Sequence, residues 1–476
     1  MFESLYANAF AIALLVAYVL AALSAARAIL HTRTAQGSMA WVLALLLMPL
    51  LTVPLYWVFG RTKFHGYVTR RQQVTDRARK HLSAIKGLDD FLEEPPGELR
   101  GLHALARRLG AGGFVRGNRL QLLVDGEATF EAMLERIASA ERFVLIQFYI
   151  FRDDAIGRRF QQALIERARA GVTVCFLFDE VGSSLSSAFL AELTGAGVKA
   201  HQFNPGRKGS RFQINFRNHR KIIVVDGSTA FVGGLNVGDD YLGRYPKIGR
   251  WRDTHLRIDG PGAAQAQIAF FKDWYWATDE LPKAQFEIAA CDQGEARVLV
   301  WHTGPADPQP ECLLFWLELI TSAKRRLWIA NPYFVPPEAI AQALRLAVLR
   351  GVEVKLIVPD SNDSIMVAWA SCVHLSELAQ SGASIYRWPD GFMHQKVCLV
   401  DDDLAMIGTA NLDNRSIFIN FEVSALSDDP QLIRETAQML ERDFKAGRPV
   451  DAKAFKEAGY WTRLACRSAN LFAPML

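Results

Sequence analysis

The sequence is short of the residues that build several familiar kinds of site. Its six cysteines, Cys175, Cys291, Cys312, Cys372, Cys398 and Cys466, are scattered. None forms a Cys-x-x-Cys pair and no local histidine cluster accompanies them, so neither a zinc site nor a disulfide framework is suggested. They read as reduced, mostly buried thiols. No acidic cluster suited to two divalent ions is visible. Gly110, Gly112, Gly113 and Gly117 miss the Gly-x-Gly-x-x-Gly pattern because Val115 takes its last place, and they read as a turn rather than a phosphate cradle. The net charge is only +4, and no basic, aromatic-interleaved groove is evident, so nucleic acid is not expected as a partner.

Charge is also missing from two long stretches, and there its absence is informative. Ser4 to Ala26 carries no charged side chain, nor does Met39 to Gly60. Each run exceeds the roughly 20 residues that cross the hydrocarbon core of a bilayer. A short loop with Arg33 and a Gly37-Ser38 turn separates them, which predicts a two-helix transmembrane hairpin over residues 1–60. Trp41 and Tyr56-Trp57 suit the interfacial aromatic belts, and Pro49 and Pro54 should kink the second span. A cleaved signal peptide is disfavoured, because the tail before the first span has Glu3 and no Lys or Arg. Arg61, Lys63, Arg70, Arg71, Arg77, Arg79 and Lys80 follow the second span, whereas the connecting loop offers Arg27 and Arg33. The positive-inside rule therefore puts the long C-terminal part in the cytoplasm. Residues 61–116 form a basic, membrane-proximal linker, read either as a surface on anionic headgroups or as a solvated helix face.

What the sequence does contain is one pattern twice. Asn218-His219-Arg220-Lys221 and Met393-His394-Gln395-Lys396 both open His-x-Lys-x4-Asp, ending at Asp226 and Asp401, and both run on to a Gly and an Asn: Gly233 and Asn236, Gly408 and Asn411. Every matched position is displaced by the same 175 residues, from 219 to 394 onward. A coarser repeat surrounds it. Strand Phe143 to Ile150, helix Ile156 to Ala170 and strand Gly171 to Asp179 match strand Arg326 to Ala330, helix Glu338 to Arg350 and strand Gly351 to Val358. The alternation predicts α/β halves over residues 117–290 and 291–476, each with a mostly parallel sheet. About ten extra residues, Gly206 to Asn215, are expected as a loop at the mouth of the first site. Between the halves Phe270, Phe271, Trp274, Tyr275 and Trp276 recur at helical spacing, which favours core packing. The apolar run from Leu471 to Leu476 would dock on the protein or graze the bilayer.

In an extended strand residues i and i+2 share a side, so His219 and Lys221 face one pocket, as do His394 and Lys396. Asp226 and Asp401 lie at an odd offset and enter turns, so they are expected to hold the motif rather than touch substrate. Two imidazoles, two ammoniums and two carboxamides suit a phosphodiester. Lys221, Lys396, Asn236 and Asn411 would hold non-bridging oxygens, one histidine would attack phosphorus and the other would move the proton. This scheme requires no metal. A nucleophilic imidazole needs an orienting carboxylate, and Asp253 and Glu422 stand at comparable distances after the motifs. If the halves meet face to face about a pseudo-twofold, each carboxylate serves the histidine of the opposite half.

These residues resemble the phospholipase D superfamily, whose signature is the doubled His-x-Lys-x4-Asp. Phe59-Gly60-Arg61, Gly233-Gly234-Leu235-Asn236-Val237-Gly238-Asp239, Trp251-Arg252-Asp253-Thr254-His255 and Asn411-Leu412-Asp413-Asn414-Arg415-Ser416 look like its bacterial cardiolipin synthase branch. Thr409 stands where that family usually has Ser; it keeps the hydroxyl and joins the expected phosphate-binding set. The resemblance implies two tandem phospholipase D-like α/β halves with pseudo-twofold symmetry behind the membrane hairpin. It also implies a bacterial inner-membrane enzyme, with Asp226 and Asp401 counted in the catalytic motif. The implied reaction is phosphatidyl transfer from one phosphatidylglycerol to another, giving cardiolipin and glycerol without a cofactor, with His219 favoured as nucleophile and His394 as acid and base. The alternative is a hydrolase of the same superfamily, releasing phosphatidic acid.

Overall fold

The computed structural model describes residues 2–32, 34–60, 86–204, 215–244, 249–286 and 288–475. The basic run after the second span and residues 206–214 of the expected loop lie outside that set.

The expected two-helix hairpin is found in part: a long first helix is followed by two shorter apolar helices that fold back on it. Phe2–His31 is one helix, and its apolar part from Asn8 to His31 is the one helix among the described residues long and apolar enough to cross a membrane. The second leg consists of Ala35–Leu47 and Pro49–Phe59. Proline lacks an N–H and disfavours helical backbone in the residue before it, so Met48 leaves the helix and Pro49 starts a new one, whereas Pro54 is tolerated inside. Both legs meet along a small-residue stripe. Ala21, Ala25 and Ala28 bury against Leu45 and Tyr56, the Trp57 indole donates to the Ser24 hydroxyl at 3.1 Å, and Ser38 donates to the Ala28 carbonyl at 2.8 Å. Small side chains let helix backbones approach closely. The outward face keeps Phe10, Leu15, Leu23 and Leu30 exposed, as lipid contact requires.

Fifteen strands among the described residues form one sheet that passes through both halves. Phe143–Phe148, Thr173–Phe178 and Lys199–Gln202 run parallel in the first half, and Arg326–Ala330, Glu353–Pro359 and Ser384–Trp388 in the second. Helices Ala155–Arg169 and Glu338–Leu349 make the crossovers that parallel pairing demands. The remaining pairs are antiparallel, so the expected mostly parallel sheet is corrected to a mixed one. Tight turns are the reason: Ile222–Val225 folds back on Thr229–Gly233, and Val397–Val400 on Leu404–Gly408. At the centre Val115–Val124 pairs with Ala296–Thr303, which joins the halves. Helix Gly262–Thr278 packs on this seam with Phe270, Trp274, Tyr275 and Trp276 buried and Phe271 against Phe286, which accounts for its aromatic spacing.

Asp226 and Asp401 sit in those turns with φ of 54° and 51°, a left-handed conformation that aspartate accepts more readily than most residues. Each carboxylate gathers three backbone amides from the loop before the neighbouring strand: Glu141, Arg142 and Phe143 in one half, Lys324, Arg325 and Arg326 in the other, all at 2.8–3.1 Å. Neither touches the site described below. Replacing either by Ala orphans three largely part-buried backbone donors, and we expect a loss of about 3 kcal/mol in unfolding free energy. Thermal melting of Asp226→Ala and Asp401→Ala checks this; unchanged melting would contradict the anchoring role.

Candidate active site

The histidine segments are held by strand pairing across the halves. Asn218 bridges to Phe421 in parallel fashion, with the His219 amide donating to the Phe421 carbonyl at 3.0 Å. On the other side Phe392–Met393 pairs in parallel with Trp251–Arg252, and the His394 amide donates to the Arg252 carbonyl at 2.7 Å. Each pairing sets a histidine beside the residue that follows its partner strand. His219 Nδ1 lies 3.0 and 3.1 Å from the two oxygens of Glu422, and His394 Nδ1 lies 2.7 Å from Asp253 Oδ2.

Buried charged networks brace both pairings. In one, both Asp273 oxygens lie 2.7 Å from the single nitrogen Nη1 of Arg220, and Oδ2 also accepts from Gln147 and Asn218. Arg220 donates in turn to the Glu422 carbonyl at 3.0 Å. In the other, Arg252 makes a two-point pair with Asp443 at 3.0 and 3.1 Å.

His219 and His394 line one cavity of about 450 Å³ together with Asn236, Asn411, Tyr149, Trp251 and Tyr333. The Asn236 oxygen accepts the Ile150 amide at 3.0 Å, which leaves its NH2 group to donate to the Tyr241 hydroxyl at 3.3 Å within the cavity lining. Asn411 Oδ1 is buried and has no hydrogen-bond partner among the described residues. Lys221 and Lys396 lie just behind, donating to the carbonyls of His219 and His394 at 2.7 and 2.6 Å. Thr409, expected on the phosphate, is fully buried and outside the cavity lining. Its hydroxyl instead donates to Glu422, because the strand carries it toward the carboxylate that orients His219. Position 234 is its counterpart in the first half. A Cβ there would lie 2.0 Å from Asp253 Oδ1, so the shorter carboxylate demands glycine where the longer one admits threonine.

Burial depresses the His219 imidazole to about 4 against the pull of Glu422, with Lys221 and Lys396 adding to the fall. His394 is held well below its ordinary value by burial and by both lysines. Burial lowers Lys221 to about 7 and Lys396 to about 8, opposed chiefly by Glu422 and Asp253 respectively. Burial also pushes Glu422 upward, but His219, Lys221 and the Thr409 hydroxyl together more than offset this and leave it below the usual range. Asp253 is raised by burial despite Lys396 and the Thr254 amide. The site at rest thus holds neutral imidazoles next to cations that are costly to bury, and an anion entering the cavity relieves that cost.

Motif spacing alone did not single out Arg217, Tyr333, Arg415 or Met475, all of which line the cavity. Arg217 had a usable signal, standing two residues before His219 on the same strand parity. Tyr333 follows the carboxyl end of a parallel strand, where ligands gather in open α/β sheets. Met475 arrives from a distant part of the chain and had none.

A tandem α/β enzyme with one composite histidine site is the class this fold and cavity define. Residues 133–274 and 316–446 match the family model described as cardiolipin synthase, phospholipase D-like domain, and residues 16–61 match the phospholipase D-nuclease N-terminal model. The sequence is 44% identical over 467 residues to cardiolipin synthase A of Pseudomonas aeruginosa, covering 96% of this chain and 94% of that one. It is 42% identical over 465 residues to cardiolipin synthase A of Pseudomonas putida, covering 96% of each. A solved phosphatidylserine synthase from Haemophilus influenzae shares the fold, with a TM-score of 0.61 at 13% identity over 78% of this chain and 99% of that one. The chain belongs to the cardiolipin synthase family of the phospholipase D superfamily.

An imidazole can attack only while unprotonated, and Lys221 and Lys396 supply positive charge behind the cavity only while protonated. Acid removes the first condition and alkali the second, so kcat/KM should rise as pH passes about 4 and fall above about 7 to 8, with values belonging to the coupled site. Replacing Lys221, the lower of the two, by Arg, whose guanidinium keeps its proton, should move the alkaline limb upward toward the value of Lys396 in a pH–rate profile. An unmoved limb would remove Lys221 from this role.

Proposed function

We propose that the chain is a cardiolipin synthase that joins two molecules of phosphatidylglycerol at this cavity. The carrying observation is that one histidine from each half enters the same cavity, each backed by a carboxylate from the opposite half.

In this reading neutral His219 donates its Nδ1–H to Glu422, which fixes the tautomer and leaves the Nε2 lone pair facing the phosphorus of the first lipid. Nε2 attacks, the bond from phosphorus to the glycerol oxygen breaks, and His394, protonated once the phosphodiester anion occupies the cavity and counters the burial and the lysines that depress it, delivers its Nε2 proton to that oxygen. The phosphatidyl group is now covalently on His219. A hydroxyl of a second phosphatidylglycerol gives its proton back to His394 and attacks phosphorus, the P–N bond breaks, and cardiolipin leaves. Lys221, Lys396, Asn236 and Asn411 stabilise the non-bridging oxygens. A phosphodiester is consumed and a phosphodiester made, so the exchange runs without ATP. Asp253 and Glu422 orient their imidazoles, and Asp226 and Asp401 support the motif from outside the cavity.

Two measurements test this. Labelled phosphatidylglycerol in proteoliposomes should give cardiolipin and glycerol; phosphatidic acid as sole product would replace the synthase by a hydrolase. With a phosphatidyl ester of p-nitrophenol, whose leaving group needs no proton, His394→Asn should release one burst equivalent of nitrophenol and retain the phosphatidyl group on His219. His219→Asn should release none, and the reverse pattern would exchange the two roles.

The anchor is proposed to span the membrane twice, with the N-terminus and the catalytic halves on the cytoplasmic side. The excess of Lys and Arg after residue 60 supports this orientation. A reporter phosphatase placed in the loop at residue 34 should be active outside the cytoplasm, and an inactive one there would reverse the topology.

A further inference from the structure

The structure carries an apolar face that the chemistry above leaves unused. Tyr460–Asn470 is a helix whose inner side is docked: Ala469 and the following Ala473 pack with Val335, Ala370, Met366 and Val367, and Asn470 Oδ1 lies 2.9 Å from His374 Nε2. With that side satisfied, Tyr460, Trp461 and Leu464 still stand out from the protein, followed by Leu471, Phe472 and Met475. Trp461 is 77% exposed and Leu471 80%, far from the burial that side chains of this kind usually reach. At 3.6 residues per turn Tyr460, Trp461, Leu464 and Leu471 share one face, and Arg463 and Arg467 border it. Exposed Ile365 and Trp369, one turn apart on helix Ile365–Gln380, add to the apolar surface of the helix that this one docks on.

This surface reaches the active-site cavity. Met475 lines it, as do Ser364 and Val367 at the start of the facing helix, and Arg415 Nη1 lies 3.5 Å from the Met475 carbonyl oxygen. A cavity of about 450 Å³ suits a headgroup, and the acyl chains of a lipid whose phosphate lay beside His219 would have to leave through such a rim.

We propose that this face, formed by Trp461, Leu464, Leu471 and Phe472 with Ile365 and Trp369, lies in the headgroup layer of an anionic phospholipid bilayer and sets the cavity mouth against it. The proposal rests on the synthase reading in taking lipid as the substrate. Three features select a bilayer as the occupant: the face is continuous with the mouth of a lipid site, aromatic and aliphatic side chains stand out together, and arginines border them. That combination defines a helix lying in a membrane interface.

The test uses the full chain in vesicles containing phosphatidylglycerol brominated high on its acyl chains. Trp41 and Trp57 in the anchor are quenched in any case, so wild type is compared with Trp461→Phe. The wild type should lose more fluorescence on bromination, by one tryptophan's share; equal quenching overturns the proposal. A triple change, Trp461→Glu with Leu471→Glu and Phe472→Glu, should lower kcat/KM on vesicle phosphatidylglycerol by about five-fold or more and stay within about two-fold of wild type on a dispersed short-chain analogue. Equal loss on both substrates, or loss on neither, overturns it. So does a drop from dimer to monomer in the triple variant, which would assign the face to a second copy of the chain. Were wild type to form no cardiolipin from either lipid, the synthase reading would fall while the quenching comparison still judged the membrane face.

Discussion

A carboxylate removed from water must find a partner or give up its charge, and in this protein two of them find it across the boundary between the halves. Glu422 and Asp253 are almost wholly buried, and stranding such a group costs several kcal/mol. The imidazole each one meets belongs to the other half. Paired backbone segments fix those meetings, so the site exists only where the halves are locked together. The buried Arg252–Asp443 pair crosses the same boundary, and Arg220, paired with Asp273 in its own half, crosses it by donating to the Glu422 and Thr303 carbonyls. Neither half by itself contains a histidine with its carboxylate.

The two sides are related by duplication without being equivalent. Glu422 takes a hydroxyl from Thr409, whereas Asp253 takes the Thr254 amide at 2.8 Å and faces a glycine at the position that matches Thr409. Despite its burial, Glu422 is held below the usual carboxylate range by His219, Lys221 and the Thr409 hydroxyl, whereas burial leaves Asp253 above it, so the imidazoles sit against partners of unlike basicity. Such an asymmetry suits a division into one nucleophile and one proton carrier.

Membrane and cavity meet as parts of one problem. The anchor closes on itself through alanines and a Ser24–Trp57 hydrogen bond and keeps its large apolar residues outward, so bilayer contact does not rely on the catalytic halves. Those halves nonetheless present aromatic and aliphatic side chains near the rim of a small cavity. Under the proposed function, a site sized for a headgroup would handle lipids by leaving their chains outside it.

The repeat was legible in the sequence because His, Lys, Asp, Gly and Asn recur at one spacing, and strand parity placed His219 with Lys221 and His394 with Lys396. The turn role of Asp226 and Asp401 was equally readable, since an odd offset before a Gly or a further Asp ends a strand. The hairpin could be read from missing charge, although the division at Met48 depended on how Pro49 meets its predecessor. Local pattern could not say which strands would pair. The parallel alternation read from helices and strands gave way to a mixed sheet once hairpin turns closed the motif strands. Thr409 looked like a phosphate ligand until its strand turned the hydroxyl to Glu422. Sequence by itself determined the chemical inventory, because residue type and spacing are properties of the chain. Tertiary structure decided that the halves do meet face to face, so that Glu422 faces His219 and Asp253 faces His394 as the pseudo-twofold expectation had it, and it brought Tyr333, Arg415 and Met475 to the cavity, because those contacts join residues far apart in the chain and are set by packing.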